Sequence, residues 1–366
     1  MDADSIRRAF TDFFSQRDHL AVASAPLVAP GDPTLLFTSA GMAPFKPYFS
    51  GQERPPRVRL TSIQKCFRTT DIDEVGDDSH LTFFEMLGNF SLGDYFKDEA
   101  QAWAWELITE ELQVPAERLV TTVFRDDDEA YGIWRKLGVP EQRIFRYGAE
   151  QGNYWYSGED GPCGPCSELH YDLRPDARGP SAGPADDETR FLEIWNLVFM
   201  QFQCNSDGSK TPLPAKNIDT GAGLERWAMM LQDKSSLYET DLFAPLLEYV
   251  AGRCERDYGT ADATERRALR VIVEHGRAMT FLVSDGVLPS NKGRGSVLRR
   301  LIRRALYMAQ SLGIEEQILA GVAGEVRAQM GTTYPELVEQ ASLVERVLDQ
   351  EEERFRQTLD SGHRML

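Results

Sequence analysis

Residues 65–97 read KCFRTTDIDEVGDDSHLTFFEMLGNFSLGDYFK, and the fold turns on how this stretch is understood. Leading into it, Val58, Leu60, Ser62, Gln64 and Cys66 alternate with Arg59, Thr61, Ile63, Lys65 and Phe67, the period of a strand. Asp71 to Ser79 is acidic and turn-like, and His80 to Leu87 returns as a β-prone aromatic segment. Such a hairpin holds one cation, Arg68, on a sheet face with aromatic walls beside it. That suits a nucleotide, the guanidinium forking onto a phosphate while a ring stacks under the base. A plain surface hairpin with Arg68 paired to Asp71 or Asp73 uses the same residues, since exposed ion pairs are common and worth little.

The wider chain bounds these alternatives. Its 366 residues are enough for two domains, and 42% hydrophobic residues support a sizeable core. No run approaches the ~20 apolar residues of a membrane span, and MDADSIRRAF lacks the apolar centre of a signal peptide. Five cysteines (Cys66, Cys163, Cys166, Cys204, Cys254) are an odd number in a large chain, which points to reduced thiols and the cytoplasm. The net charge of −18 argues against general affinity for nucleic acid. Between Asp285 and Glu315, however, no acidic residue interrupts Lys292, Arg294, Arg299, Arg300, Arg303 and Arg304. A basic island in an acidic chain points to one local anionic partner.

Upstream, residues 5–17 read as an amphipathic helix with Ile6, Ala9, Phe10, Phe13 and Phe14 on one stripe. Pro26, Pro30, Pro33 and Pro44 then impose strand, turn and loop. In that loop Met42 lines a pocket or simply fills core, as methionine readily does. Downstream of the hairpin, Asp98–Leu112 and Asp126–Leu137 read as helices, Leu119–Phe124 and Arg143–Tyr147 as strands. The segment GPCGPCSE reads as a tight, rigid turn. Its Cys163-x-x-Cys166 has no second Cys/His pair at a usable spacing, so a structural zinc is not expected. Residues 172–190 read as an exposed connection, and FLEIWNLVFMQF (191–202) as a buried strand. Within that strand Asn196 needs a partner, either the fold's own backbone or a polar ligand. In IDTGAGLERWAMMLQ (218–232) a strand end carrying Asp219 meets a glycine turn, Gly221-x-Gly223, and then a helix. Arg226 lies roughly 200° from Leu224 on a wheel of ~100° per residue, away from the buried stripe, where it makes an anion site. From Tyr238 the pattern is helical, ending in a charged helix over 335–360.

Phe67-Arg68 with the returning Phe83-Phe84, followed by GAGLER, resembles motifs 2 and 3 of the class II aminoacyl-tRNA synthetases; SAPLVAP resembles the motif 1 region. DPTLLFTSAGM, TFFEMLGNFSLGDYFK, GPCGPCSE, EIWNLVFMQF, IDTGAGLER and GVLPSNKGRGSVLRRLIRRA are similar to the alanyl-tRNA synthetase family within that class. The resemblance spans essentially the whole chain. It implies an α+β fold: an antiparallel class II sheet flanked by helices over residues 1–240, the adenylation domain, then an all-helical tRNA-recognition domain over 241–366. It implies activation of L-alanine by ATP, carried as its Mg2+ complex, and transfer of alanine to the acceptor stem of alanine tRNA.

By the same resemblance, Arg68 holds the ATP α-phosphate and the alanine carboxylate. Phe84 lies under adenine, with Met86 and Gly223 among the ATP contacts, and Arg226 covers the base or reaches the outer phosphates. Asp219 binds the alanine ammonium with the indole N–H of Trp155, while Met42, Asn196, Val198 and Gly221 shape the methyl pocket. Asn291, Lys292, Arg294, Arg299 and Arg303 meet tRNA; an ordinary solvated helix side is the lesser alternative for the arginines. Glu168 and Glu193 are possible magnesium ligands that the sequence leaves open.

Departures accompany the match. Thr70 stands where the class has Glu, and the chain runs directly from Arg68 through Thr69-Thr70 to Asp71, lacking a Gly-Gly-Lys segment common in bacterial members. The histidine pair and Cys/His pair of an editing domain are not found, nor is the oligomerising segment, so a monomer cut from a longer enzyme, charging tRNA weakly, is expected. A paralogue adenylating a small amino acid for another acceptor, and a non-catalytic regulator binding alanine or RNA, are the competing functions.

Overall fold

The computed structural model describes residues 1–28, 35–158, 160–175 and 182–363, with side chains to residue 358. Pro30 and Pro33 of the proline-rich loop, and part of the 172–190 connection, lie outside the described residues. The rest falls into two compact units.

The first unit comprises residues 1–24, 40–64 and 85–233. It opens with α1 (Ala3–Ser15), which Asp2 caps by accepting from the Ser5 N–H. Strands β1 (Leu20–Val22), β2 (Arg59–Phe67) and β3 (Phe83–Leu92) follow, β2 and β3 each running across the unit boundary. A short helix, α2 (Lys46–Phe49), precedes β2. Next come α3 (Lys97–Glu106), β4 (Leu119–Phe124), α4 (Asp128–Lys136), β5 (Ile144–Tyr147), β6 (Tyr154–Tyr156), β7 (Gly161–Asp172), β8 (Phe191–Cys204), β9 (Lys210–Gly223) and α5 (Leu224–Leu231). Among the described residues the strands form one sheet in the order β1-β2-β3-β9-β8-β7-β4-β5, with β6 pairing to β7. The long central strands β3, β9, β8, β7 and β4 are antiparallel; β1–β2 and β4–β5 are parallel. The expected antiparallel sheet flanked by helices is therefore present.

Strand alternation splits β8 between two layers. Trp195 packs with Phe10 and Phe14 of α1 and with Trp227 of α5. On the opposite face Val198 and Met200 join Met42, Phe45, Phe49, Leu60, Phe90 and Cys166 in a second apolar cluster, against which Trp155 packs. This second face carries the site.

The other unit comprises residues 25–39, 65–84 and 234–366. Its helices are α6 (Ala244–Arg253), α7 (Ala263–Ser284), α8 (Gly293–Ser311), α9 (Leu319–Met330), α10 (Glu336–Glu339) and α11 (Ala341–His363). Asp262 and Glu265 form a capping box that starts α7, and almost the whole of that helix is buried. Its Glu274 is buried and accepts the Thr82 and Phe83 N–H groups, while Lys65 is buried against Asp285 at 3.0 Å and Glu336. Two early segments thus pack among helices that follow residue 234, an attachment that helical periodicity does not reveal.

Several expectations need correction. GPCGPCSE is not a tight turn but the first two thirds of β7, kept extended by pairing with β6 and β8 and irregular between Cys163 and Cys166. Gly164 is needed there, because a Cβ would meet the Phe199 carbonyl. Nor are all five cysteines free: Cys163 and Cys204, near neighbours on β7 and β8, form a disulfide, leaving Cys66, Cys166 and Cys254 as thiols. Gly221-x-Gly223 is the extended end of β9 rather than a turn, with Gly223 the N-cap of α5. The helix expected over 98–112 ends at Glu106 and continues as a π turn over Leu107–Glu111. The charged helix divides after Glu339.

Candidate active site

Strand register assembles the sequence-identified residues of the first unit. Phe90, Asp219, Val198 and Cys166 stand opposite one another across β3, β9, β8 and β7. Two residues along, Gly221, Asn196, Glu168 and Thr122 form a parallel row across β9, β8, β7 and β4. Met86 stands opposite Gly223 at the next step. Since side chains repeat every second residue, all of these positions share one face of the sheet. Trp155 faces Gly164 from β6.

Asp219 is the anomaly of this face. Its row neighbours are Phe90 and Val198, neither of which can donate a hydrogen bond. Among the described residues its carboxyl group makes no side-chain hydrogen bond or ion pair, and burial alone pushes its pKa from 3.8 to about 7. A buried charge without a partner is costly, so an acid kept here has a use for an incoming cation. Cys166, beyond Val198, is no nucleophile: burial first, then the charges of Glu168, Asp219 and Glu193, push its thiol well up.

The space beside Asp219 is small. A Cβ on Gly221 would lie 2.7 Å from Met86 Sδ. The same sulfur sits 3.1 Å from the Gly41 amide nitrogen. Met42 is buried in the apolar cluster with Val198, and Trp155 packs against that cluster. The Trp155 indole N–H makes no hydrogen bond among the described residues. A carboxylate, an indole donor and a shallow apolar floor suit a small amine with a short alkyl group. Gly221→Ala is expected to raise the KM for such a ligand tenfold or more. Stability should change by only about 1 kcal/mol, because the obstructing atom ends a flexible side chain. Substrate titration beside thermal unfolding checks both halves.

Arg226 projects from the first turn of α5, half-exposed, while Leu224, Trp227 and Ala228 on the same helix are buried. Its Nη1 donates to the Glu193 carbonyl at 2.9 Å and lies 3.4 Å from the Glu193 carboxylate, leaving its other N–H groups for an anion. The neighbouring Glu225 is structural. It is buried and accepts the Glu85 N–H, while the Glu85 side chain is paired to Arg7 at 2.6 Å.

In the second unit Arg68 is exposed. Its Nε donates to the Ser39 carbonyl at 3.1 Å, and its guanidinium lies 4.9 Å from the Phe84 ring centroid. The hairpin alternative, pairing to Asp71 or Asp73, is not adopted; Asp73 pairs with Arg300 at 2.7 Å instead.

The basic island divides. Arg294 donates to the Leu35 and Leu36 carbonyls. Arg299 is held by Asn291 at 2.5 Å and by Glu351 at 3.1 Å, and Arg304 by the Ile72 and Val75 carbonyls. Lys292 and Arg303 are exposed and make no side-chain hydrogen bond or ion pair among the described residues. Among the described residues no cluster of three or more His, Cys, Asp or Glu side chains is arranged to hold a metal ion.

Sequence reasoning missed the polar network around Glu168. It comprises Thr122, Asn153, His170 and Asn196, gathered from β4, β7, β8 and the segment before β6. Glu168 closes GPCGPCSE, but only strand register reveals what it meets.

The family model described as tRNA synthetases class II (A) matches residues 5–366. Among curated relatives, the alanine–tRNA ligase of Dehalococcoides mccartyi is 50% identical over 370 residues, covering 100% of this chain and 42% of that protein. The alanine–tRNA ligase of Pelotomaculum thermopropionicum is 50% identical over 371 residues, with 100% and 42% covered. That of Stenotrophomonas maltophilia is 50% identical over 370 residues, with 98% and 41% covered. The chain spans about two fifths of the length of these relatives.

Proposed function

The chain belongs to the class II (A) tRNA synthetases, and from that premise we propose that it activates L-alanine with ATP and passes the alanyl group to the 3′ end of a tRNA. The observation that carries this reading is Asp219, a buried carboxyl group with no side-chain partner among the described residues, set between apolar residues beside Gly221, over which Met86 packs closely. The alanine ammonium supplies the missing cation. Its methyl group rests on the Met42–Val198 side, and Trp155 adds a donor.

Arg68 takes the substrate carboxylate and the α-phosphate, which approach each other as the carboxylate attacks phosphorus and pyrophosphate leaves. Positioning and charge stabilisation supply most of the rate in such transfers. Phe84 offers adenine a ring face, Met86 and Gly223 border the nucleotide, and Arg226 directs its free N–H groups at the base or the outer phosphates. Magnesium comes with the triphosphate as part of the substrate. No protein nucleophile is required, because the alanine carboxylate is already ionised; the raised Cys166 thiol fits that economy.

In this reading residues 1–240 activate the amino acid and residues 241–366 face the acceptor stem. The proposed activity places the chain in the cytoplasm, where tRNA is charged. No helix among the described residues is long and apolar enough to cross a membrane.

Alanine-dependent exchange of pyrophosphate into ATP tests the first step. Glycine should be poorer by about 10- to 200-fold, the limit for one missing methylene. Exchange that alanine stimulates no better than other amino acids do would refute the reading.

For RNA, Lys292 and Arg303 are the phosphate contacts on offer. Replacing both by alanine should weaken binding of an alanine tRNA and lower the slope of log K against log salt by roughly 0.7–0.9 per lost contact. Arg299→Ala should instead loosen the packing of α8 on α11, through Glu351, and show in thermal unfolding. An unchanged salt slope in the Lys292/Arg303 double variant would remove these two residues from the interface.

A further inference from the structure

The row Thr122–Glu168–Asn196–Gly221 contains a feature that alanine activation, as set out above, does not use. Asn196 gives its Nδ2 to Glu168 Oε1 at 3.3 Å. Its Oδ1 is buried and has no hydrogen-bond partner among the described residues. Glu168 is itself held from the far side. Its Oε2 accepts from Thr122 Oγ1 at 3.1 Å and lies 3.1 Å from His170 Nε2, and Thr122 Oγ1 accepts from Asn153 Nδ2 at 2.7 Å.

These bonds run in one direction. Asn153 Nδ2 also meets the Cys166 carbonyl at 3.4 Å, which takes only a donor, so the same NH2 donates to the Thr122 hydroxyl, whose proton then goes to Glu168. A carboxylate has no hydrogen to give, so the edge of Asn196 that meets Glu168 must be its NH2. The carbonyl edge is thereby turned away from Glu168, buried and unsatisfied, on the sheet face that also bears Asp219. Leaving such an acceptor empty costs free energy that a donor-bearing ligand recovers.

We infer that Glu168 is a positioning residue: it locks the Asn196 amide so that Oδ1 rather than NH2 is offered to the ammonium of the amino-acid substrate. With the amide reversed, a donor would face the cation. Glu168 in this way adds a second acceptor to Asp219 and selects for a primary ammonium without touching it. The inference rests on the alanine-activating reading and deepens it.

The test uses the full chain and alanine-dependent pyrophosphate exchange. Glu168→Gln keeps the shape but lets either edge of Asn196 face position 168. The KM for alanine should rise about tenfold or more, as expected for loss of a hydrogen bond to a charged group, while the KM for ATP and the thermal midpoint change little. Adding Asn196→Asp to that variant should bring the alanine KM back to within a few-fold, because a carboxylate at position 196 accepts from the amide introduced at position 168 and still presents an oxygen. In the otherwise unchanged chain, Asn196→Asp sets two carboxylates against each other and should raise the KM.

Rescue in one background and damage in the other is not expected of a residue that merely supports the strands. An unchanged alanine KM in Glu168→Gln, or a double variant no better than the single, overturns the inference. Should Glu168→Gln fold poorly, an unchanged or lowered KM in Asn196→Asp alone overturns it as well. If the parent chain shows no alanine-dependent exchange, the functional reading fails first and takes this inference with it; a working parent with unresponsive variants refutes only the role of Glu168.

Discussion

Asp219→Asn is expected to abolish alanine-dependent exchange and, at the same time, to make the folded chain more stable at neutral pH. The two effects share one cause. In the fold Asp219 ionises only at about 7, raised by burial from 3.8. Between those values the folded chain retains a proton that the unfolded chain has released. Stability contributed at this position is therefore complete below about pH 4, falls as pH rises towards 7, and stays low above it. The shift corresponds to on the order of 4 kcal/mol at 1.36 kcal/mol per unit, an upper bound that water entry reduces. Asparagine has no proton to lose, so the variant should match the parent near pH 4 and exceed it by several degrees in Tm at pH 8.

Alanine binding should show the reverse trend. Below pH 7 the carboxyl group must first give up its proton to receive an ammonium, so the alanine KM of the parent should climb about tenfold per pH unit on the acid side and flatten above 7. Thermal melts of both chains from pH 4 to 8 read the stability change, and alanine-dependent exchange over the same range reads the KM. A parent whose melting temperature is independent of pH, or an asparagine variant that still activates alanine, would remove Asp219 from its role.

Strand position was legible along the chain; register was not. FLEIWNLVFMQF announces a buried strand through its unbroken apolar run, and the alternation from Val58 to Phe67 announces another. Each prediction needs only local side-chain period. The juxtaposition of Asp219 with Phe90 and Val198 depends on which residue of one strand faces which residue of the next, and that is set by packing over long sequence separations. For the same reason Met42 and Asn196 could be read either way from sequence, whereas the structure places Met42 in the apolar cluster and leaves the Asn196 carbonyl without a hydrogen-bond partner among the described residues. The arginine face of α8 shows the converse. Helical spacing identifies the face but not its neighbours, and Arg294, Arg299 and Arg304 prove to be engaged by carbonyls and carboxylates within their own unit. The disulfide likewise escaped a count of cysteines, because Cys163 and Cys204 are separated by 41 residues and meet only through strand pairing.

Arg68→Ala should produce an equally large loss of exchange with almost no change in stability. The side chain is exposed, and its internal ties are one hydrogen bond to the Ser39 carbonyl and a stack over Phe84. Contacts of this exposed kind contribute roughly 0.5–1.5 kcal/mol each, so the melting temperature should hardly move. Catalysis has more at stake. Nε–H is spent on Ser39, which fixes the plane of the guanidinium; in the proposed reaction the four Nη hydrogens are then left to bridge a carboxylate and a phosphate as negative charge gathers between them. Removing one preorganised donor group of this type typically costs roughly 10²–10³ in rate, and here charge and fork are lost together. Arg68→Lys separates those two contributions. Lysine restores the charge but can neither hold Ser39 and an anion in one plane nor fork between two oxygens, so it should recover only a small part of the activity. Were lysine to restore most of the exchange rate, the geometry of the guanidinium would be irrelevant and simple charge neutralisation would suffice. Were alanine itself to leave exchange near the parent rate, the phosphate would have to be held elsewhere, and the assignment of the nucleotide to Arg68 and Phe84 would fall.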